Sequence, residues 1–89
     1  MFFDVPIAFV LINSNLGTDV EIIAKVKEMF DSQADIKYEL QGVYGVYDII
    51  IKISSEDSAK LRSIVTSQIR KVENVQSTLT MMVIEEQEQ

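Results

Sequence analysis

The chain has 89 residues, which suits a single domain, because two cores of half that size would bury too little apolar surface. Its 14 acidic and 8 basic residues give a net charge of −6, which argues against direct binding to nucleic acid, since that needs clustered Lys and Arg. The sequence contains no Cys and no His. Disulfides, thiolate nucleophiles and Cys-ligated zinc are therefore excluded, and the commonest general base is missing.

Metal and membrane functions also lack support in the sequence. The acidic residues are scattered without the spacing of metal ligands, so we expect neither a metal site nor a cofactor. The N-terminus lacks the basic start and long apolar region of a signal peptide, and the longest uncharged stretch, residues 5–18, is too short to span a bilayer. We therefore expect a cytoplasmic protein that does not contact a membrane.

The first half of the chain predicts a strand, a helix and a second strand. Residues 5–12 form a continuous apolar run, which is typical of a strand covered on both faces. Thr18 and Glu21 have the spacing of a capping box, and the helix that follows them ends near Phe30. Residues 36–43 alternate apolar and polar side chains and predict the second strand. The apolar stripe of the helix is expected to contain Val20, Ile23, Val26, Met29 and Phe30.

The second half predicts a turn, two further strands and a second helix. Gly42 and Gly45 mark a turn or bulge, and a third strand follows at residues 48–53, with three isoleucines on one face. A second helix continues to about Val72, and the last strand covers residues 75–84. The stripe of the second helix is expected to contain Leu61, Ile64, Val65, Ile69 and Val72.

The predicted order of elements is β-α-β-β-α-β. Two right-handed crossovers around a central hairpin give a ferredoxin-like α+β fold, with a four-stranded antiparallel sheet and both helices on one face. The first and third strands are then central, and the other two lie at the edges. Residues 1–84 form this domain, and residues 85–89 form an acidic C-terminal tail.

The first strand is apolar on both faces, although two helices can cover only one side of the sheet. Ile7, Phe9 and Leu11 lie on one face, and Ala8, Val10 and Ile12 lie on the other. Soluble monomers rarely expose a large apolar surface, so we expect a second copy to pack sheet to sheet. The face that contains Val10 and Ile50, together with Met82, is predicted to be buried in that dimer.

Several segments in chain order carry a family resemblance: residues 7–12, the helix after Gly17, residues 45–50 (GVYDII) and residues 75–80 (VQSTLT). Together they resemble the effector-binding domain of the Lrp/AsnC (leucine-responsive, feast/famine) regulators, also called the RAM domain. The resemblance implies dimers built by sheet packing, closed rings such as octamers, and amino acids or similar effectors bound at dimer–dimer contacts. Full-length members carry an N-terminal helix-turn-helix, and this chain resembles a stand-alone form without it.

One departure from the family concerns the turn before the last strand. A Pro-Gly pair is usual there before the Val, whereas this chain has Glu73 and Asn74 before Val75. The departure bears on the local turn and leaves the expected fold unchanged.

Six residues are candidates for binding a ligand: Gly45, Tyr47, Asp48, Ser77, Thr78 and Thr80. Gly45 serves either as a turn glycine or as a point where a ligand approaches the backbone. Asp48 either accepts turn amides or pairs with the ammonium of an amino acid. Tyr47 packs in a core or interface, or lines the ligand. The two threonines and the serine either occur there because such residues are common in edge strands, or their hydroxyls bind the carboxylate of a ligand.

The leading hypothesis for function is a homo-oligomeric module, without enzyme activity, that binds an amino-acid-like effector. It would modulate transcription through a DNA-binding paralogue with which it co-assembles. A small enzyme of the dimeric α+β-barrel type, such as a monooxygenase, is the first alternative. Its acid–base chemistry would fall to Tyr38, Tyr44, Tyr47 or Asp48, each with a strongly shifted pKa. An ACT-like allosteric domain, which has the same strand order, is the other alternative.

Overall fold

The computed structural model describes residues 5–84, and the predicted tail at residues 85–89 lies outside the described residues. The strands are β1 (Ile7–Ser14), β2 (Lys37–Gly42), β3 (Ile49–Ser54) and β4 (Val75–Met82), and the first helix is α1 (Asp19–Asp31). The second helix, α2, begins as an α-helix (Ser58–Ser63) and continues as a π-helical turn (Ile64–Gln68) and a 3-10 turn (Ile69–Lys71).

The four strands form one antiparallel sheet in the order β2-β3-β1-β4. The first and third strands are therefore central, as predicted, and the architecture is the ferredoxin-like α+β fold. No helix within residues 5–84 is long and apolar enough to cross a membrane.

The hydrophobic core lies between one face of this sheet and the two helices. Strands β1 and β3 contribute alternate residues to it, as the two-residue period of a strand requires: Ala8, Val10, Ile12, Ile49, Ile51 and Ile53. The helices and the residues directly after α2 contribute Ile22, Val26, Phe30, Leu61, Ile64, Val65, Ile69 and Val72. All five residues predicted for the stripe of the second helix are therefore buried.

The predicted burial of Val10 and Ile50 on one sheet face is wrong, because the two residues lie on opposite faces. Val10 pairs with Ile51 and is fully buried on the helix side, whereas Ile50 pairs with Leu11 on the other side. The sequence pattern leaves this choice open because both sets of side chains along β1 are apolar. The register between β1 and β3 decides it.

The face of the sheet that the helices leave uncovered is called the open face below. Its apolar residues are Ile7, Phe9, Leu11, Ile50, Leu79 and Met81. The prediction of Met82 on this face is wrong, because Met82 pairs with Ala8 on the helix side, while Met81 pairs with Phe9. Leu79 and Met81 are 45% and 46% exposed, so the single chain leaves a substantial apolar surface in contact with water.

Helix α1 begins without the predicted capping box. The hydroxyl of Thr18 donates to the carbonyl of Asn15 at 2.6 Å and makes no hydrogen bond to the helix. The hydroxyl is therefore bound to the preceding turn, and its acceptor lone pairs receive no amide from the first turn of α1. The buried stripe of α1 consists of Ile22, Val26 and Phe30. Val20 was predicted in this stripe, but it is 72% exposed because the stripe starts at Ile22.

Asn74 lies where the resemblance to the Lrp/AsnC domains leads to the expectation of the Gly of a Pro-Gly pair. It has a φ of 76°, in the left-handed region where glycine is favoured and Asn is the best-tolerated alternative. Its carbonyl accepts a hydrogen bond from the backbone amide of Asn15 at 2.9 Å. Its side-chain oxygen accepts from the side-chain amide of Asn15 at 3.3 Å, and its side-chain amide donates to the carboxylate of Glu21 at 3.5 Å. Asn74 therefore provides the glycine-like backbone and links the turn to α1.

Replacing Asn74 by Ala should lower the free energy of unfolding by about 1–2 kcal/mol, because the left-handed conformation is unfavourable for a residue with an ordinary Cβ. Asn74→Gly should cost less, because it keeps the backbone conformation and loses only the exposed side-chain contacts. Urea-induced unfolding followed by circular dichroism measures both variants. Equal destabilisation by Ala and Gly would show that the side-chain contacts, and not the positive φ, make Asn74 important.

Candidate functional site

Three of the predicted site residues lie in the turn between β2 and β3. The amide of Val43 donates to the carbonyl of Asp48 at 2.8 Å and closes this hairpin. Gly45 has a φ of 143°, a value that residues with a side chain rarely adopt. Apart from its two neighbours in the chain, no residue has an atom within 4 Å of the position of an added Cβ. Its backbone conformation therefore requires glycine, while the space beside it is open. Tyr47 is half-buried.

The carboxylate of Asp48 is bound to the end of strand β1. Its Oδ2 accepts hydrogen bonds from the backbone amide of Ser14 at 2.8 Å and from the Ser14 hydroxyl at 3.1 Å. The Asp48 amide also donates to the carbonyl of Ile12 at 2.9 Å. The carboxylate thus caps β1 and not its own turn, and its Oδ1 accepts no hydrogen bond from residues 5–84.

The three predicted hydroxyl residues lie on edge strand β4 but do not form one row. Ser77 pairs with Asn13 on the open face, and the Asn13 side-chain amide donates to the Ser77 hydroxyl at 3.3 Å. Thr78 and Thr80 pair with Ile12 and Val10, so they lie on the helix side. Within one chain, Asp48 and Ser77 are therefore near the same end of the sheet, and the two threonines face away from them.

Asn13 and Ser14, which the sequence analysis did not single out, form hydrogen bonds with two of the candidate residues, Ser77 and Asp48. They lie at the end of β1, which separates Asp48 from Ser77 by two strand spacings, or about 10 Å. The signal in the sequence that could have indicated them is the short polar run directly after the apolar strand. Composition alone assigns this polar run to a loop. Together with Asp48 and Ser77, these residues form a polar group at the hairpin end of the sheet.

A cleft of about 540 Å³ lies at the opposite end of the sheet, where β2 begins and β3 ends. Its walls include Ala34, Lys37, Tyr38, Lys52, Ser54 and Glu56. None of the six predicted site residues lines it. No group of His, Cys, Asp or Glu within the described residues has the arrangement of a metal site.

Two polar contacts fix one wall of this cleft. The Lys60 ammonium contacts the carboxylate of Asp35 at 2.7 Å, and this hydrogen bond lowers the pKa of Asp35. The Tyr38 hydroxyl donates to Asp31 at 2.8 Å, and this hydrogen bond raises the pKa of Tyr38. The Tyr38 ring packs edge-on against Phe30, with 5.2 Å between ring centroids. The wall is therefore tied both to α2 and to the core.

Residues 7–89 match the family described as "Lrp/AsnC ligand binding domain". The crystal structure of FFRP-DM1 is similar, with 32% sequence identity and a TM-score of 0.73 over 89% of this chain and 99% of that chain. E. coli AsnC has 22% identity and a TM-score of 0.70 over 97% of this chain and 60% of that one. NMB0573 from Neisseria meningitidis is a transcriptional regulator solved as an L-Met complex. It has 12% identity and a TM-score of 0.68 over 94% of this chain and 53% of that one.

The comparisons agree with the fold described above. AsnC and NMB0573 are less than 25% identical to this chain and show its fold alone, and no curated protein matches the chain. The family match, in contrast, includes every strand and helix from β1 to β4. It therefore confirms the resemblance seen in the sequence, and the chain belongs to the Lrp/AsnC ligand-binding domain family.

Proposed function

We propose that this domain binds an amino-acid effector at the turn between β2 and β3. The observation that carries the proposal is the carboxylate of Asp48, because Ser14 fixes its Oδ2 while Oδ1 accepts no hydrogen bond from the described residues. An oriented carboxylate oxygen of this kind is a strong acceptor for an ammonium group. The family's description as a ligand-binding domain, and the L-Met complex of the related fold, support this class of ligand.

The remaining candidate residues have complementary roles in this proposal. The open space beside Gly45 gives the ligand access to the backbone, and the half-buried ring of Tyr47 contacts its side chain. The hydroxyl of Ser77 donates to the ligand carboxylate. Thr78 and Thr80 lie on the other face of β4, so they do not reach this ligand within one chain. In this proposal they contact the effector bound by a neighbouring subunit.

The proposed assembly begins with a homodimer in which two open faces pack together. Across this face, Leu11 lies between Ile50 and Leu79, and the row continues the apolar surface of β1 to the edge of the sheet. A second copy of the chain has the complementary apolar surface by symmetry. Burial of these side chains supplies the hydrophobic stabilisation that the single chain lacks.

A second exposed apolar surface supports assembly beyond the dimer. Tyr44 and Val46 at the tip of the β2–β3 turn are almost fully exposed, and they adjoin the proposed ligand site. We propose that dimers meet at these turns in a closed ring, so that the effector lies at the contact. The ring would act in the cytoplasm and modulate transcription by co-assembling with a DNA-binding paralogue, without binding DNA or catalysing a reaction itself.

A thermal-shift screen of the twenty standard amino acids tests the ligand class. A ligand that binds only the folded state at 100 times its dissociation constant should add roughly 2.7 kcal/mol of stability. We expect one amino acid, or a small chemically related group, to raise the melting temperature. The absence of a shift with any of the twenty at millimolar concentration would contradict an amino-acid effector.

Asp48→Asn should weaken binding of that amino acid by about tenfold or more, because it removes the charge opposite the ammonium. The variant keeps an oxygen that accepts the Ser14 amide, so the fold should survive. Isothermal titration calorimetry measures the affinity, and Glu73→Gln, an exposed residue outside the site, is the matched control for charge. Affinity within about twofold of the wild type would mean that Asp48 has only its structural role at β1.

A further inference from the structure

Strand β4 forms one edge of the sheet and lacks the charges and prolines that usually protect an edge. It is 8 residues long and contains neither a charged residue nor a proline. The strand at the opposite edge, β2, carries Lys37 and Glu39. Charged side chains on an edge strand hinder pairing with another chain, so the two edges of this sheet differ in accessibility. A further strand can therefore pair with β4.

The backbone of three residues in β4 points away from the sheet. The amide of Val83 donates to the carbonyl of Ile7 at 2.9 Å, and in an antiparallel pair such hydrogen-bonded residues alternate with residues that face outwards. The amides and carbonyls of Thr78, Thr80 and Met82 therefore face outwards and have no partner strand within residues 5–84. The register shift of β4 lies at its start, so this part of the strand is regular.

The helix above this edge presents a positive charge to it. Helix α1 contacts β2 and the last turn of α2 contacts β4, so α2 lies on the β4 side of the helix layer. The Lys60 ammonium reaches Asp35 in the loop before β2, which places Lys60 on the side of α2 that faces α1. Arg62 follows two residues later, about 200° around the helix, and therefore lies on the side towards the outer edge of β4.

Arg62 has no counter-charge among the residues around it. It is exposed, and it forms no ion pair within residues 5–84. The sequence from 58 to 72 contains basic residues and no acidic one. No strand within the described residues has an acidic side chain on its helix side, so an edge strand of a second copy would not supply one. A carboxylate opposite Arg62 would therefore come from a different protein.

On its other side, a strand added to β4 would continue the open face. Leu79 and Met81 are the apolar side chains of β4 on that face, and each is almost half exposed. Side chains directly opposite on neighbouring strands lie about 4.5–5.5 Å apart, so apolar residues of the added strand would pack beside them. A strand that fits therefore alternates apolar residues on the open side with acidic residues on the helix side.

We propose that β4 binds an extended segment of a partner protein in which apolar and acidic residues alternate. The segment pairs antiparallel with the outward backbone groups of β4, its acidic side chains contact Arg62, and its apolar side chains pack beside Leu79 and Met81. This site does not depend on effector binding at Asp48. A neighbouring subunit at the threonines of β4 would exclude the segment, so the dimer is the form that binds it.

Hydrogen exchange of the ¹⁵N-labelled chain locates the contact. The probe is a synthetic peptide with blocked ends, as long as β4, in which valine and glutamate alternate. Without it, the amides of Thr78, Thr80 and Met82 should exchange quickly, whereas those of Leu79 and Met81 are protected by β1. With it, the three outward amides should slow by about tenfold or more. Outward amides that are already slow without the peptide would overturn the proposal, because another copy would then cover the edge.

Arg62→Gln tests the charge of the partner. It should weaken binding of the valine–glutamate peptide by about tenfold, as measured by fluorescence anisotropy. Lys27→Gln removes the same charge from the exposed side of α1 and should leave the affinity unchanged. A peptide that alternates valine and lysine should bind the wild-type chain at least about tenfold more weakly. Equal affinity for the two peptides would contradict an acidic partner.

N-methylated peptides test the backbone pairing. In an antiparallel pair, directly opposite residues have side chains on the same face, so the glutamate amides of the peptide face β4 and the valine amides face away. Methylation of the glutamate amides should abolish binding, and methylation of the valine amides should be tolerated. The opposite result, or no binding of the unmodified peptide at millimolar concentration, would overturn the proposal. Asp48→Asn should leave peptide affinity unchanged, so failure of the effector site and failure of this site are distinguishable.

Discussion

Val10→Asp should leave the chain largely unfolded at 25 °C. Val10 is fully buried at the centre of the sheet, where it pairs with Ile51 on one side and Thr80 on the other and lies on the helix side. An unpaired carboxylate at such a position costs several kcal/mol, in addition to the lost burial of the Val side chain. Domains of this size have a total stability of roughly 5–15 kcal/mol, so the loss is comparable with the whole.

Far-UV circular dichroism and thermal unfolding measure this effect. Val20→Asp provides the matched control, because the same substitution on the exposed side of α1 should change stability by less than about 0.5 kcal/mol. A folded Val10→Asp chain that only dissociates would contradict the structure. It would instead support the sequence-based assignment of Val10 to an interface between sheets.

The fold was predictable because local patterns and chain topology point to the same answer. The isoleucines of β3 repeat with period two, and the stripe of α2 repeats with the period of a helix. Which face of β1 packs against the helices was not predictable from the residues of β1, since the side chains on both faces are apolar. Only the pairing of Val10 with Ile51 places the Val10 side of β1 beneath the helices, and this register depends on residues about 40 positions apart.

The candidate site was predictable only in part. Asp48 stands out as a carboxylate at the start of an isoleucine strand, but its partner Ser14 is 34 positions away and has no local motif. The separation of Ser77 from Thr78 follows from the period of a strand and could have been foreseen. The far cleft could not, because its walls come from the start of β2, the end of β3 and the loop before α2.

Leu11→Asp should abolish the proposed dimer while the chain remains folded. Leu11 follows Val10 directly but points to the open face, where its neighbours are Ile50 and Leu79 and where it is only half-buried in one chain. The single chain therefore hydrates an aspartate at this position, whereas a sheet-to-sheet dimer buries it without a partner. That penalty is several kcal/mol for each copy, which corresponds to a dissociation constant raised by about a thousandfold or more.

Sedimentation velocity at micromolar concentration distinguishes the two states, and circular dichroism checks that the variant is folded. Val20→Asp again serves as the control, because an acidic residue on the solvent side of α1 should leave the dimer intact. A wild-type chain that sediments as a monomer would show that the open face has another partner or none. A Leu11→Asp chain that remains dimeric would place the dimer contact elsewhere, and the exposed turn at Tyr44 and Val46 would then be the next surface to substitute.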